Sequence, residues 1–204
     1  MSYLTRLFCP GKKRISAQAL KKGIANEPLG KLLNFEDEKT NTNNQIIIRK
    51  KNLELLIIIE LLPQENQEDK LKLKNIIEYS KTKLPGKNMK WVKKYISKSK
   101  YIYEFIPLFD FRTEKDFEIL TLIQREAWVY SRGIFQFFGE GFTNESGDLV
   151  LWDYPFSITG KRFAAIKDFT KRWKTFEMTL ESLSQRKYFF KGKVPKHSKL
   201  IFRG

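Results

Sequence analysis

The sequence predicts an α+β protein, with a twisted antiparallel sheet, two to three packed helices and a disordered basic arm in front of them. Hydrophobic residues make up 41% and aromatic residues 14% of the 204-residue chain, enough to build a core. Segments rich in β-branched residues follow or precede segments with helical apolar spacing. We therefore divide the chain into a flexible basic N-terminal arm and linker, residues 1–44, and a single globular domain, residues 45–204.

The first ten residues predict a short amphipathic helix that Pro10 ends. Four apolar side chains have the spacing of one helical face: Tyr3, Leu4, Leu7 and Phe8. A single short helix is marginally stable in water, so we expect it to form on contact with a surface. Polar, turn-rich sequence over residues 36–44 then leads to the start of the domain near Gln45.

The first half of the domain alternates between strand and helix signals. β-Branched and apolar residues between Ile46 and Leu62 predict one or two strands with a break near residues 50–52. Apolar positions over 69–83 predict a helix that Pro85-Gly86 stops. Residues 88–98 predict a second, short helix with one lysine-rich side.

The second half begins with β-prone sequence. Residues 101–111 are aromatic, and residues 117–130 are interpreted as a strand pair. The clearest local pattern is a β-hairpin, in which residues 133–142 and 148–153 flank the turn Asn144-Glu145-Ser146-Gly147.

A helix is predicted after Gly160. Four aromatic or aliphatic side chains would lie along its buried stripe: Phe163, Ile166, Phe169 and Trp173. Residues 175–183 fit two structures, because Phe176, Leu180 and Leu183 have helical spacing whereas Phe176, Met178 and Leu180 alternate as in a strand.

Positive charge is the main functional signal in the chain. The formal net charge is +16, and the basic residues concentrate in segments 1–34, 79–103, 161–174 and 182–204. Clustered cations indicate an anionic partner such as lipid, nucleic acid or an acidic protein surface.

Two of these segments predict binding sites. The first is a membrane-binding set formed by an apolar face with cations behind it: Tyr3, Leu4, Leu7, Phe8, Lys12, Lys13, Arg14, Lys21 and Lys22. Each cation near an anionic leaflet contributes about 1 kcal/mol, which strengthens shallow insertion. Cys9 offers a thiol for palmitoylation there, although a plain reduced thiol is the simpler interpretation.

The second site is a basic face suited to anionic lipid or RNA backbone. It comprises eight lysines: Lys81, Lys83, Lys87, Lys90, Lys93, Lys94, Lys98 and Lys100. Aromatic residues stand between them, including Trp91, Tyr95, Tyr101 and Tyr103. These aromatics either stack on bases or belong to the core. The segment contains no arginine, so contacts to nucleic acid would not read base sequence.

The sequence offers little catalytic chemistry. A single cysteine, Cys9, and a single histidine, His197, exclude an intramolecular disulfide and a Cys–His zinc site within one chain. No glycine-rich phosphate loop is present. We therefore predict that the protein is not an enzyme and needs no cofactor or metal. No apolar run is long enough to span a bilayer, so we expect a cytoplasmic location.

The order of these parts resembles the rhabdovirus matrix protein, particularly its vesiculovirus-like branch. Four stretches carry the similarity. At the N-terminus, Met-Ser-x-Leu is followed by Gly11-Lys12-Lys13-Arg14, and residues 53–100 then repeat the family's progression of strand, turn and helix. Further along, Arg132-Gly133 and Leu151-Trp152-Asp153-x-x-Phe156 resemble the family's C-terminal hairpin, and Phe163 to Phe169 match the helix after it. Each stretch is short, and together they cover most of the chain. The Pro-Pro-x-Tyr and Pro-Thr/Ser-Ala-Pro recruitment motifs, frequent in the family's arm, are absent.

The resemblance implies a viral structural protein of the virion interior that lies peripherally on the inner leaflet of the host membrane. It would condense the viral ribonucleoprotein, self-associate and drive virion assembly and budding, with host budding factors as further partners. It also implies a strand at residues 175–183. The alternative from the residues alone is a non-viral basic RNA- or ribosome-binding α+β protein. A third hypothesis is a nuclease-like enzyme that uses Asp110, Glu114, Asp116 and Glu118.

Overall fold

The computed structural model describes residues 4–11, 13–39, 44–108 and 113–201. Within that part of the chain, five α-helices and eleven β-strands form, which confirms the predicted α+β class, although two to three helices were predicted. The chain divides into a first unit, residues 1–70 with 99–133, and a second unit, residues 71–98 with 134–204. This division differs from the predicted arrangement of one globular domain behind an arm.

Five antiparallel strands form the sheet of the first unit, in the spatial order β1-β5-β4-β3-β2. They are β1 (Thr5–Cys9), β2 (Leu33–Lys39), β3 (Asn44–Lys50), β4 (Leu53–Leu61) and β5 (Tyr101–Pro107). Consecutive residues of the central strands are buried, as in Leu55-Leu56. Side chains on both faces of the sheet are therefore covered, which explains the unbroken apolar runs in the sequence.

The N-terminal segment belongs to this sheet, so the flexible arm is not confirmed. The helix predicted over residues 1–10 is wrong for residues 5–9, which form β1 and pair antiparallel with β5 from Thr5–Phe105 to Cys9–Tyr101. Leu7 and Phe8 are both fully buried. Neighbouring apolar residues suit a strand covered on both faces as well as one helical face, and the tertiary context decides between the two.

Two helices complete the first unit, α1 (Ala17–Gly23) and α4 (Glu114–Ser131). The strand pair predicted over residues 117–130 is wrong. Thr113 and Asp116 form a capping box at the start of α4, and buried Ile119, Ile123 and Ala127 follow at helical spacing.

The second unit contains six strands in chain order: β6 (Ile134–Phe137), β7 (Gly141–Thr143), β8 (Leu149–Trp152), β9 (Lys161–Lys167), β10 (Trp173–Thr179) and β11 (Leu200–Ile201). The predicted hairpin turn at Asn144–Gly147 is confirmed between β7 and β8, but the predicted first strand, residues 133–142, divides into β6 and β7 around a turn at 138–140. The β8–β9 pair is parallel and the other paired strands of the unit are antiparallel, so the sheet is mixed and not wholly antiparallel as predicted.

The helix predicted after Gly160, which the family resemblance also implied, is wrong. Residues 161–179 form the β9–β10 hairpin, paired from Trp173–Lys167 to Thr179–Lys161. Phe169 lies in the turn and is 93% exposed, so it shares no buried stripe with Ile166. The strand alternative for residues 175–183 is correct for β10.

Three helices remain: α2 (Gln67–Ser80), α3 (Gly86–Ser97) and α5 (Leu183–Phe190). The predictions of α2 and α3 are confirmed, although α2 ends several residues before Pro85. Within the second unit, α3 packs against β8 and β9. Phe189 of α5 packs edge-on against Phe176 of β10, with ring centroids 6.4 Å apart, in the unit's core.

Candidate functional site

The net charge of the chain is carried almost entirely by the second unit. That unit contains 22 Lys and Arg residues against 8 Asp and Glu, whereas the first contains 17 against 15. The surplus of 14 in the second unit accounts for nearly all of the +16. A functional surface for an anionic partner is therefore expected there.

Helix α3 carries the densest group of exposed cations in this unit. Lys87, Lys90, Lys94 and Lys98 recur at spacings of three and four residues, which places them on one side of the helix. All four are exposed, and no salt bridge of the described residues includes them. We call these four residues the α3 lysine face. Lys93 is also exposed and lies beside it.

Three of the eight predicted basic-face residues are placed differently. Lys81 pairs with Glu78 at 2.6 Å. Lys83 pairs with Asp153, and its ammonium group lies 4.0 Å from the Tyr79 ring centroid. These two cations are therefore neutralised within the protein. Lys100 is exposed but belongs to the first unit, where its backbone N–H donates to the Cys9 carbonyl.

A buried asparagine holds α3 in place. The Asn88 Nδ2 group donates to the carbonyls of Val150 and Ala165, both at 2.9 Å, and its Oδ1 accepts from the Lys167 backbone N–H at 3.2 Å. These bonds join α3 to β8 and β9 directly. The sequence carries no sign that Asn88 is buried, because this residue stands next to Lys87 in a helix with a polar face.

Aromatic side chains border the α3 lysine face. Trp91 meets Trp173 edge-on at 4.7 Å between ring centroids and lies 5.2 Å from Tyr95. The Lys167 ammonium group lies 4.1 Å from the Trp173 ring and 5.3 Å from the Trp91 ring. Desolvation by burial lowers the pKa of Lys167. Trp91, Tyr95 and Trp173 are half-buried, so they pack the helix down and keep part of each ring in solvent.

The predicted membrane-binding set is not brought together as an exposed face. Leu7 and Phe8 are fully buried and Leu4 is half-buried, so an insertable apolar surface cannot form from them in this fold. Tyr3 and Lys12 lie outside the described residues. Cys9 is also fully buried, and burial raises the pKa of its thiol to about 12. This thiol is therefore unsuited to acylation in the folded protein.

The cations of that set have separate environments. Arg14 pairs with the buried carboxylate of Glu60 at 2.6 Å, which makes it a structural residue of the first unit. Lys13 lies 5.8 Å from the Tyr130 ring centroid. Lys21 and Lys22 are exposed in the last turn of α1, where cations also favour the helix dipole.

The described residues contain no group of three or more His, Cys, Asp or Glu side chains placed to hold a metal ion. Asp116 instead accepts from the Thr113 backbone and hydroxyl at 2.9 and 2.7 Å, which gives it a capping role in α4. Asp110 of the same acidic group lies outside the described residues.

Among the helices of the described residues, none is long and apolar enough to cross a membrane. Comparison with known proteins finds no matching family model, curated protein or solved structure.

Proposed function

We propose that the protein is a viral matrix-type structural protein without enzymatic activity, which binds anionic membrane and nucleocapsid through the basic surface of its second unit. The observation that carries the proposal is the concentration of 14 surplus positive charges in that unit. It would lie peripherally at the cytoplasmic leaflet, self-associate, and drive virion assembly and budding.

The geometry of α3 supports the electrostatic part of this proposal. Four exposed lysines on one side of an anchored helix form a cationic surface that requires little conformational ordering on binding. Lysine is a point charge rather than a planar fork, so this surface suits phosphate groups of lipid or ribonucleoprotein without reading base sequence. Such binding weakens as salt screens the charges.

Because the apolar N-terminal residues are buried, they are not part of the proposed membrane contact. Leu7 and Phe8 are core residues, whereas Lys13, Lys21 and Lys22 remain exposed cations of the first unit. The first unit is nearly neutral, with 17 basic and 15 acidic residues, so we expect these lysines to contribute less than the α3 lysine face.

A flotation experiment with charge-matched variants tests the proposal. One variant neutralises three of the four residues of the α3 lysine face with Lys87→Gln, Lys90→Gln and Lys94→Gln. The control makes the same change in net charge in the first unit with Lys21→Gln, Lys22→Gln and Lys31→Gln, all at exposed positions. Both are assayed with vesicles of phosphatidylcholine and phosphatidylserine in equal parts.

We expect the wild-type protein and the control variant to float, and the α3 variant to float at least tenfold less, because each lysine near the membrane contributes about 1 kcal/mol. Equal flotation of the two variants would contradict the assignment to α3. Failure of the wild-type protein to float would contradict the membrane-binding part of the proposal.

RNA binding is the second candidate function, favoured by the partly exposed rings of Trp91, Tyr95 and Trp173 beside these lysines. Fluorescence anisotropy with single-stranded RNA distinguishes it. Tight, salt-sensitive RNA binding by a protein that does not float would favour the non-viral RNA-binding alternative.

A further inference from the structure

The turn between β9 and β10 presents an aromatic side chain to solvent. Phe169 is 93% exposed, and it stands at the tip of the hairpin in the second unit. Exposed apolar residues are common on protein surfaces, so exposure alone carries no functional meaning. The structure of the turn and the charges around it distinguish this phenylalanine.

The turn is held in one conformation by hydrogen bonds. Asp168 Oδ1 accepts from the Thr170 backbone at 2.8 Å, the Thr170 hydroxyl at 2.6 Å and the Arg172 backbone at 3.1 Å. The Asp168 backbone N–H also donates to the Arg172 carbonyl at 3.0 Å, and the Lys167 ammonium group donates to the Lys171 carbonyl at 3.0 Å. Phe169 is therefore displayed by an ordered turn.

Cations flank the phenylalanine on both strands of the hairpin. Lys167 precedes it, and Lys171, Arg172 and Lys174 follow it, the last three with exposed side chains. Carboxylates also lie near these cations. The Thr170 hydroxyl lowers the pKa of Asp168, whose Oδ1 is used within the turn, and Glu145 interacts electrostatically with Lys167. The tip thus combines one projecting apolar group with a surrounding positive charge.

We propose that the 168–172 turn inserts Phe169 into the interfacial region of anionic membranes while Lys171, Arg172 and Lys174 contact lipid phosphates and carboxylates. This inference rests on the proposed function and assigns to it a specific insertion element. An amphipathic tip of this kind gains from apolar burial and from attraction to anionic headgroups together.

The exposure of the ring favours lipid over RNA as the occupant. A base-stacking aromatic is supported by protein on one face and offers the other to the base. Phe169 projects into solvent with 93% of its surface free, so it lacks that support. Trp91 and Trp173 are packed against each other and are better placed for stacking.

A labelled cysteine tests insertion directly. Because Cys9 is fully buried, Phe169→Cys would provide the one accessible thiol of the described residues for an environment-sensitive fluorophore. The matched control is Leu183→Cys at the first position of α5, an exposed apolar site, 74% accessible, with the exposed Lys187 one turn further along the helix. On adding phosphatidylserine vesicles, we expect a blue shift and quenching by lipid-borne nitroxide at position 169 but not at position 183.

Phe169→Ser provides the second measurement. We expect about a tenfold weaker partition onto anionic vesicles and loss of the binding that survives a rise in salt from about 0.1 to about 1 M. The thermal midpoint should not change, because the side chain makes little internal contact. Phe169→Trp should restore salt-resistant binding.

The outcomes separate this inference from the proposed function. One outcome is that the wild-type protein floats, the label at position 169 remains in water, and Phe169→Ser partitions onto vesicles as the wild type does. In that case the insertion of Phe169 is contradicted, while electrostatic membrane binding is not. If the wild-type protein does not float and the label responds only to RNA, the inference and the membrane proposal both fail.

Discussion

The guanidinium group of Arg186 is enclosed within the second unit, at 2% exposure. It donates to the carbonyls of Leu180, Phe156 and Ile158, and it lies 5.1 Å from the Trp152 ring centroid. The basic segment 182–204 counts among the clustered cations of the sequence, but this cation joins α5 to the β8–β9 and β10–α5 connections of its own unit. A charge count along the chain cannot separate such a residue from an exposed one.

Cys9 leads to a prediction about pH. Burial raises its thiol pKa from 9.0 to about 12, so above about pH 9 the unfolded chain ionises first and the folded state loses relative stability. Below pH 9 the thiol is protonated in both states and this loss is absent. We expect the thiol to lower the free energy of unfolding by about 1.4 kcal/mol by about pH 10.

Urea denaturation of wild-type protein and Cys9→Ala across this pH range measures the effect. Lysines and tyrosines titrate in the same range, but they are common to both proteins, so the difference between the two curves isolates the thiol. If the free energy of unfolding changes with pH equally in both proteins, Cys9 ionises equally in the folded and unfolded states.

At the scale of elements, α3 depends on one buried amide. Asn88→Ala removes three hydrogen bonds and leaves the carbonyls of Val150 and Ala165 and the N–H of Lys167 without that partner. We expect the free energy of unfolding to fall by about 2–4 kcal/mol. Chemical denaturation measures the loss.

Ser97→Ala is the control on the same helix. Its hydroxyl is exposed and donates to the Lys94 carbonyl at 3.0 Å, so its loss should cost at most about 0.5 kcal/mol. A similar small effect at both positions would mean that Asn88 does not anchor α3.

At the scale of the whole molecule, the N-terminal segment is part of a folded unit. Removing residues 2–34 deletes β1 and α1 and the first two residues of β2, so β5 loses its pairing with β1 and Glu60 loses Arg14. We expect the truncated chain to lose its cooperative thermal transition and to aggregate through exposed strand edges. Circular dichroism and light scattering measure both.

Removing only residues 2 and 3 is the matched control and should leave the transition in place. A cooperative transition in the longer truncation would contradict the role of β1 and would support a separable arm. Because the truncation is expected to unfold, charge-matched point variants are the better test of binding.

Much of the secondary structure followed from local patterns. The break at residues 50–52, the helix before Pro85 and the turn Asn144–Gly147 carry strong chemical signals in a few residues. The sequence failed where apolar spacing suited two structures. Residues 5–9 and 161–167 became strands because neighbouring strands supplied hydrogen-bond partners, and α4 became a helix through its capping box and buried stripe.

The residues of the candidate site were also predictable where the signal was local and not where burial depended on distant contacts. Lys87, Lys90, Lys94 and Lys98 were predictable because helical spacing alone places them on one side of α3. Leu7 and Phe8 were misassigned because burial depends on pairing with β5, almost a hundred residues away in the chain. Phe169 was placed in a core stripe and is instead 93% exposed at a hairpin tip.

By itself, the sequence determined the α+β class, the excess of positive charge and the lysine stripe of α3, because composition and local spacing do not depend on distant contacts. Only the tertiary structure decided which charges remain exposed. Long-range pairing buried Leu7 and Phe8, neutralised Lys83 with Asp153 and enclosed Arg186, and it left nearly the whole charge surplus to the second unit.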